Sequence, residues 1–433
     1  MITNRGVMLF FICGVLFFIA GILHVSAGDA WCGRFTYGVA TSLSERYDDN
    51  IDLRETNEED DFITSLTPHF SLSYATPATD FTLNYNPSFE FYADNSGENE
   101  IRNNGTLLLN SRITRRLRLT MTDTLAFTPG QDSSRDEEFT DRRRRSRSYA
   151  SDRLSNDFTT TLFYQLFKRT AVRGGIFYRF DNYDGSQEVD SDEYGLNLGL
   201  DHQLTAADTL FTTYRYRILE YDSGSLARPA NDSEVHSFSI GDTHRFPRDL
   251  TLTAAAGLSF VDEKHESNET ELYGQMVLAK NFQTGSLTLS FERDVSPGSG
   301  RGGTTTANTL DLTVRKEFSR RFSTTFSAYA SEEESTSEND VDTRDWGLRL
   351  GSSYEFTRQL TGTVTCSFIR QDSKGDTGGD TDSYRARLYL DYRLRPNVGL
   401  FASYAYYQQN ALDPIEEDIE SNLFEIGIRI TWL

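Results

Sequence analysis

Cysteine is scarce in this sequence: 3 in 433 residues, at Cys13, Cys32 and Cys366. Cys13 lies in a stretch expected to be removed, and the other two sit in unlike surroundings, so no disulfide is expected. No C-x-x-C or C-x-x-C-H occurs, which leaves paired-cysteine zinc and attached c-type haem without support. The 6 histidines are scattered, and G-x-S-x-G, P-loop and H-E-x-x-H motifs are missing. No catalytic constellation, metal site or cofactor is therefore expected, and the chain is read as no enzyme. Sustained helical periodicity is missing after the first few dozen residues. So is any later apolar run long enough to cross a bilayer as a helix.

What the chain has instead is alternation. In Asp382–Tyr407 the residues Tyr384, Ala386, Leu388, Leu390 and Tyr392 share one face of an extended chain, and Arg385, Arg387, Tyr389, Asp391 and Arg393 share the other. Leu394-Arg395-Pro396-Asn397 turns the chain, and Val398, Leu400, Ala402, Tyr404 and Tyr406 continue the oily side. This hairpin, with variations, fills the sequence. Most strands pass the same test, an oily face against a polar one. In the fifth, Asp123 falls on the oily side with Leu119, Met121 and Leu125. A bulge or shifted register is expected there, since a carboxylate in hydrocarbon is costly. Pro68 and Pro87 interrupt the second and third strands.

The average composition, 37% hydrophobic with net charge -22, suits a soluble protein. It misleads where apolar residues occupy every second position, because a membrane barrel spreads its oil that way. Aromatics reach 13%, with 30 Phe and 22 Tyr, as strands and interfacial girdles require. Residues 1–27 read as a signal peptide: Arg5, an apolar run from Val7 to Leu23, then Val25-Ser26-Ala27 as the cleavage site. Residues 28–433 form one unit. Short links near Pro77, Thr114, Lys168, Ala206, Pro247, Gln283, Ser319, Arg358 and Pro396 alternate with longer ones rich in Asp, Glu, Ser and Gly. The acidity belongs mostly to those long links. The expected fold is an all-β, antiparallel, up-and-down transmembrane barrel of about twenty strands (range about 16–22). It has short periplasmic turns and longer acidic extracellular loops.

With alternating Phe424, Ile426, Ile428, Ile430 and Trp432 at its end, the chain resembles the Gram-negative outer-membrane β-barrel proteins of the large, porin-like kind. The resemblance covers everything after the signal. It implies a cell outer membrane location, contact with outer-membrane lipid and lipopolysaccharide, and a last strand read by the barrel-assembly machinery. Family members end on the aromatic residue itself, whereas here Leu433 follows Trp432. The chain also resembles barrels associated with exopolysaccharide export and sorting systems.

The leading functional expectation is a pore for small polar solutes or an exported polymer. One alternative is a structural barrel sheathing a periplasmic or export-system partner, and another is a surface enzyme. Selectivity is expected from inward arginines, among them Arg215, Arg217, Arg385, Arg387 and Arg429, which raise local anion concentration in a water-filled pore. Inward carboxylates such as Asp391 and Glu425 offer those arginines a purely structural role, as cross-strand ladders. The link Pro129–Asp152 carries Arg142, Arg143, Arg144, Arg145 and Arg147. By its position as the third outside loop it resembles the pore-narrowing loop of porins. No aromatic is interleaved with the basic run Arg142–Arg147, so no nucleic-acid partner is expected. Cleavage after Ala27 leaves a mature protein beginning at Gly28, which intact-mass measurement of membrane-extracted protein checks directly.

Overall fold

Alternation at period two dictates extended chain. The computed structural model describes residues 33–128, 152–184, 189–222, 232–264, 268–297, 304–335, 342–374, 380–412 and 418–432. The strands run β1 (Arg34–Asp48), β2 (Asp61–Ala75), β3 (Thr79–Tyr92), β4 (Glu100–Arg112), β5 (Leu117–Thr128), β6 (Arg153–Phe167) and β7 (Thr170–Tyr183). They continue as β8 (Asp190–Gln203), β9 (Asp208–Asp222), β10 (Ser233–Phe246), β11 (Leu250–Glu263), β12 (Glu269–Phe282), β13 (Gly285–Pro297) and β14 (Thr304–Ser319). The last are β15 (Phe322–Ser335), β16 (Asp342–Glu355), β17 (Leu360–Lys374), β18 (Thr381–Arg395), β19 (Val398–Ala411) and β20 (Ile419–Thr431). Each pairs antiparallel with the next, and β20 returns to β1, so the 20-stranded sheet closes into a barrel, as its sequence leads one to expect. The proposed signal peptide and the arginines of the third long link lie outside the described residues.

Closure depends on one seam. β1 and β20 pair from Ala40↔Thr431 to Asp48↔Leu423, and the Trp432 amide donates to the Val39 carbonyl at 2.8 Å. At the long-link end Asp49 accepts both the backbone and side-chain N–H of Asn422, at 2.6 and 2.9 Å. Asn50, fully buried, donates to the carbonyls of Arg54 and Glu420 at 2.8 and 3.0 Å. The Asp48-Asp49-Asn50 run reads in the sequence as the start of a solvated acidic loop. In the structure it clasps the last strand to the first.

The turns sort by length as expected, short ones at one end and long ones at the other. Three short turns carry a one-residue register shift, at Gln165/Phe167, Glu317/Ser319 and Arg393/Arg395. The shift brings Leu394 and Arg395 into β18, so only Pro396-Asn397 turns the chain. Pro68 and Pro87 face one another where the β2–β3 ladder skips from Leu66↔Phe89 to Phe70↔Tyr85. Proline has no N–H to offer there, and the Thr67 and Ser88 hydroxyls bridge the gap at 2.9 Å.

No bulge rescues Asp123. β5 stays in continuous register with β4 and β6, and Asp123 pairs with Leu107 and Phe158 on the outer face. It is held instead by Asn156, whose Nδ2 donates to Asp123 Oδ1 at 2.7 Å.

Four inward glycines sit directly opposite inward aromatics: Gly195 and Phe177, Gly241 and Phe211, Gly347 and Tyr329, Gly427 and Phe401. A methyl group at Gly195 would lie 2.0 Å from the Phe177 ring, and one at Gly427 would lie 2.3 Å from Phe401. The rings therefore lie across the glycines, flat against the wall.

Outward side chains are exposed on most strands, for example Leu198, Ile240, Leu310 and Ile426. A cation on this face meets hydrocarbon, whereas one on the opposite face meets water. Leu310→Arg is expected to destabilise the folded barrel by about 2–4 kcal/mol in lipid. Thr313→Arg, three residues along the same strand and exposed on the inner face, is expected to leave stability nearly unchanged. Equilibrium unfolding in urea from vesicles distinguishes the two.

Candidate functional site

The wall of a barrel this wide encloses more volume than its own inward side chains fill. Inward positions alternate along each strand, so a residue's parity decides whether it meets the lumen. Arg215, Arg217, Arg385, Arg387 and Arg429 all have inward parity, opposite to their neighbours Tyr214, Tyr216, Ala386, Leu388 and Ile428. The arcs of β6–β13 and of β16–β4 use these arginines differently.

Across β6–β9 and β13 the charges interlock. Arg153 donates to Asp181 through both Nε and Nη2, at 3.0 and 2.7 Å, and both side chains are buried. Arg179 bridges Asp157 at 2.8 Å and Glu193 at 3.2 Å. Glu193 lies 3.8 Å from Arg217. Arg217 and Arg215 both bind Asp294, at 3.1 and 3.0 Å. That last contact joins β9 to β13 over three intervening strands. Four strand spacings measure about 19 Å along a sheet, more than an arginine and an aspartate span, so the wall curls sharply here. Beside this clamp toward the long-link end, Leu219, Val235, Val261 and Val295 pack into a cluster from which water is excluded. Below it lies a cavity of about 540 Å³ lined by Thr, Ser, Arg173, Arg215, Arg245 and Tyr273.

The opposite arc, from β16 through β20 to β4, encloses a second cavity of about 540 Å³. Five arginines line it, Arg46, Arg102, Arg349, Arg385 and Arg387, against two carboxylates, Glu90 and Glu425. Arg46 lies 2.9 Å from Glu90, Arg102 2.8 Å from Glu100 and 3.7 Å from Glu90, and Arg387 3.6 Å from Glu425. Tyrosine rings line the same space. The Arg385 guanidinium sits 4.9 Å from the Tyr407 ring centre, and Arg387 sits 5.9 Å from that of Tyr389. Near its edge Arg429 donates to the Tyr389 hydroxyl at 2.9 Å and lies 3.3 Å from Asp391.

Elsewhere the polar groups serve the membrane boundary. Tyrosine hydroxyls on the outer face donate to carboxylates of the next strand: Tyr178 to Asp192 at 2.6 Å, Tyr194 to Glu220 at 2.8 Å and Tyr216 to Glu234 at 2.9 Å. At the rim, beyond the strands, desolvation pushes Asp232 up. Hydrogen bonds from Lys264 Nζ at 2.6 Å and the Tyr221 amide at 3.0 Å outweigh it and hold the carboxyl below its usual range. Among the described histidines, His202 meets the Thr170 hydroxyl at 3.1 Å and His236 the Tyr214 hydroxyl at 2.8 Å. His244 lies 2.5 Å from Asp208, with Asp242 within ligand distance of both. No hydroxyl or thiol hydrogen-bonds His244 among the described residues. Phe424, Ile426, Ile428, Ile430 and Trp432 all lie on the outer face of the closing strand.

No protein-family model matches the sequence, and no curated protein matches it. Solved structures do. The FrpB iron transporter from Neisseria meningitidis (F5-1 variant) superposes with a TM-score of 0.51 at 12% identity, covering 92% of this chain and 82% of that one. A mutant of the ferric enterobactin receptor PfeA from Pseudomonas aeruginosa gives 0.51 at 10% identity, covering 91% and 80%. The fold is that of the outer-membrane β-barrels. At such identities the likeness is one of architecture, and the lumen residues are this chain's own.

The inward parity of the arginines is legible in the sequence. The clamp is not, because Arg217 and Asp294 lie 77 residues apart and parity says nothing about how sharply a wall curls. Removing the charge of Asp294 leaves two arginines facing one another, one of them buried. Asp294→Asn is expected to destabilise the barrel by about 3 kcal/mol, read as a shift in the urea midpoint. Asp391→Asn, at a half-exposed pair, is expected to cost under about 1 kcal/mol.

Proposed function

We propose that this chain is a pore of the Gram-negative outer membrane that passes small polar solutes by diffusion and favours anions. The observation that carries the proposal is the cavity on the β16–β4 arc, where five arginines outnumber two glutamates. A wall with excess positive charge and low-dielectric backing concentrates anions and repels cations. Arginine also suits carboxylates and phosphates by its planar fork of donors, so weak, repeated contacts pass an anion along the wall. Tyr389 and Tyr407 beside Arg387 and Arg385 add flat apolar faces, which suits an organic anion better than chloride. An exported acidic polymer meets the same wall chemistry.

The clamp and apolar cluster on the other arc support a division of labour. There the interlocked charges stiffen the wall near the long-link end, while the cavity below them is lined by Arg173, Arg215 and Arg245 against Asp201. The outer-membrane location rests on the closed barrel, its oily outer face and the tyrosine–carboxylate boundary. No chemical step is needed.

The test is conductance in a planar bilayer, with selectivity taken from the reversal potential in a salt gradient. The wild-type pore is expected to be anion-selective. Arg385→Ala with Arg387→Ala is expected to move the reversal potential toward cations while the steps persist. A barrel that inserts and carries no current overturns the pore and favours a sheath around a partner. Neutralising Arg142, Arg143, Arg144, Arg145 and Arg147 together tests the third long link separately from the wall.

A further inference from the structure

The ladder between β12 and β13 stops half-way. The two strands leave their short turn paired from Phe282↔Gly285 to Gly274↔Arg293, and beyond that no pair joins them among the described residues. Each keeps its other neighbour. β12 stays paired with β11 as far as Val261↔Glu269, and β13 with β14 as far as Pro297↔Thr304. The hairpin is therefore splayed from Tyr273 to Glu269, about 16 Å of strand.

The clamp on the neighbouring strands holds it open. Asp294, the first residue past the last pair, is bound by Arg215 and Arg217 of β9. Val295 shares the outward parity of Phe291 and Arg293, yet it is buried in the cluster with the inward Leu219, Val235 and Val261. The long-link half of β13 has thus swung into the lumen. Beside the opening, Leu272 of β12 and Leu258 and Phe260 of β11 stand exposed on the outer face, so the parting lies within the apolar belt. Free backbone edges at that depth are tolerated only where they line a polar, wet space. Arg293 supplies one. It donates to Asn308 at 2.9 Å and across the opening to Glu271 at 2.8 Å, and its buried Nε has no partner among the described residues. Gly274 keeps the foot of the opening clear, since a methyl group there would meet nothing nearer than the Phe291 ring at 3.9 Å.

At the inner end stands Tyr273, which with Gln275 lines the cavity that holds Arg173, Arg215 and Arg245. Asp201 answers Arg173 and Asp294 answers Arg215. The exposed Arg245 side chain has no counter-charge among the described residues. We propose that the parting is a lateral port, through which an anionic amphiphile of the surrounding leaflet seats its head in this cavity while its acyl chain stays in the lipid. The head gains charge-assisted hydrogen bonds from arginine, and the chain never leaves hydrocarbon. The inference needs a membrane barrel but not a conducting one. It uses the arc opposite the one that carries the pore proposal, so the two stand or fall separately.

The test reads tryptophan fluorescence of the full chain in lipid vesicles. In a Trp31→Phe, Trp346→Phe, Trp432→Phe background, Tyr273→Trp puts a probe at the inner end of the port. Phe401→Trp puts one on the inner face of β19, behind continuous ladders on both sides. Heat-modifiable gel migration checks that each variant is folded. Dibromostearate mixed into the vesicles is expected to remove most of the Tyr273→Trp emission and to leave Phe401→Trp nearly unchanged. Brominated phosphatidylcholine, whose head has no net charge, is expected to quench neither. Arg245→Gln is expected to raise the dibromostearate needed for half-quenching about tenfold. A matching loss with brominated phosphatidate extends the port to phosphate heads, and its absence restricts the port to carboxylates. A Tyr273→Trp probe that dibromostearate leaves bright, because the parting is closed or filled by a second chain, overturns the proposal. So does equal quenching at Phe401→Trp or by the neutral lipid.

Discussion

A peptide group in hydrocarbon has no water to bind, and each unsatisfied N–H or C=O costs several kcal/mol. This one constraint organises the molecule. It forbids a free sheet edge, so β20 must find β1 across the whole chain, and side chains reinforce the seam there. Asp49 and Asn50 bind backbone of residues about 370 positions away. The hydrophobic effect, which drives soluble folds, acts here on the outside, and the buried apolar residues among those described form two small clusters. The few buried apolar groups inside the wall, such as Leu219 and Val235, stand where the wall curls and excludes water.

With the backbone satisfied by the ladder, inward side chains are left to manage charge. The two arcs differ in how closely they interlock those charges. On one, Arg179, Glu193, Arg217, Asp294 and Arg215 form a chain in which almost every charge has a counter-charge within 4 Å. On the other, arginines outnumber acids and share space with tyrosines. A buried pair stiffens because breaking it strands a charge, while an excess of one sign leaves a field that acts on solutes. One residue type thus supplies both wall and selectivity, and only its partners tell which.

Period-two alternation made the strands, their faces, the closed sheet and the sorting of turns legible in the sequence. Each of those follows from local geometry, so residues such as Leu388 and Arg387 declare their sides without knowing their neighbours. What escaped depends on distance or on partners. Asp123 looked like an error of register because its rescue, Asn156, sits on the next strand beyond a long link. The Asp48-Asp49-Asn50 clasp looked like loop acidity because its partners, Ser421 and Asn422, lie at the far end of the chain. Arg215 and Arg217 declared their inward side, but their tie to Asp294 needed the curl of the wall.

The glycine–aromatic pairs leave a different kind of mark. At Gly195, Gly241, Gly347 and Gly427 a ring stays against the wall only because its cross-strand neighbour has no side chain. Alanine at Gly195, where the Phe177 ring alone stands in the way, lifts that ring into the lumen. The bore then narrows, while no charge or ladder bond changes. Width and charge are thus set by separate residues in this wall, so the barrel can evolve a finer sieve without altering which ions it prefers.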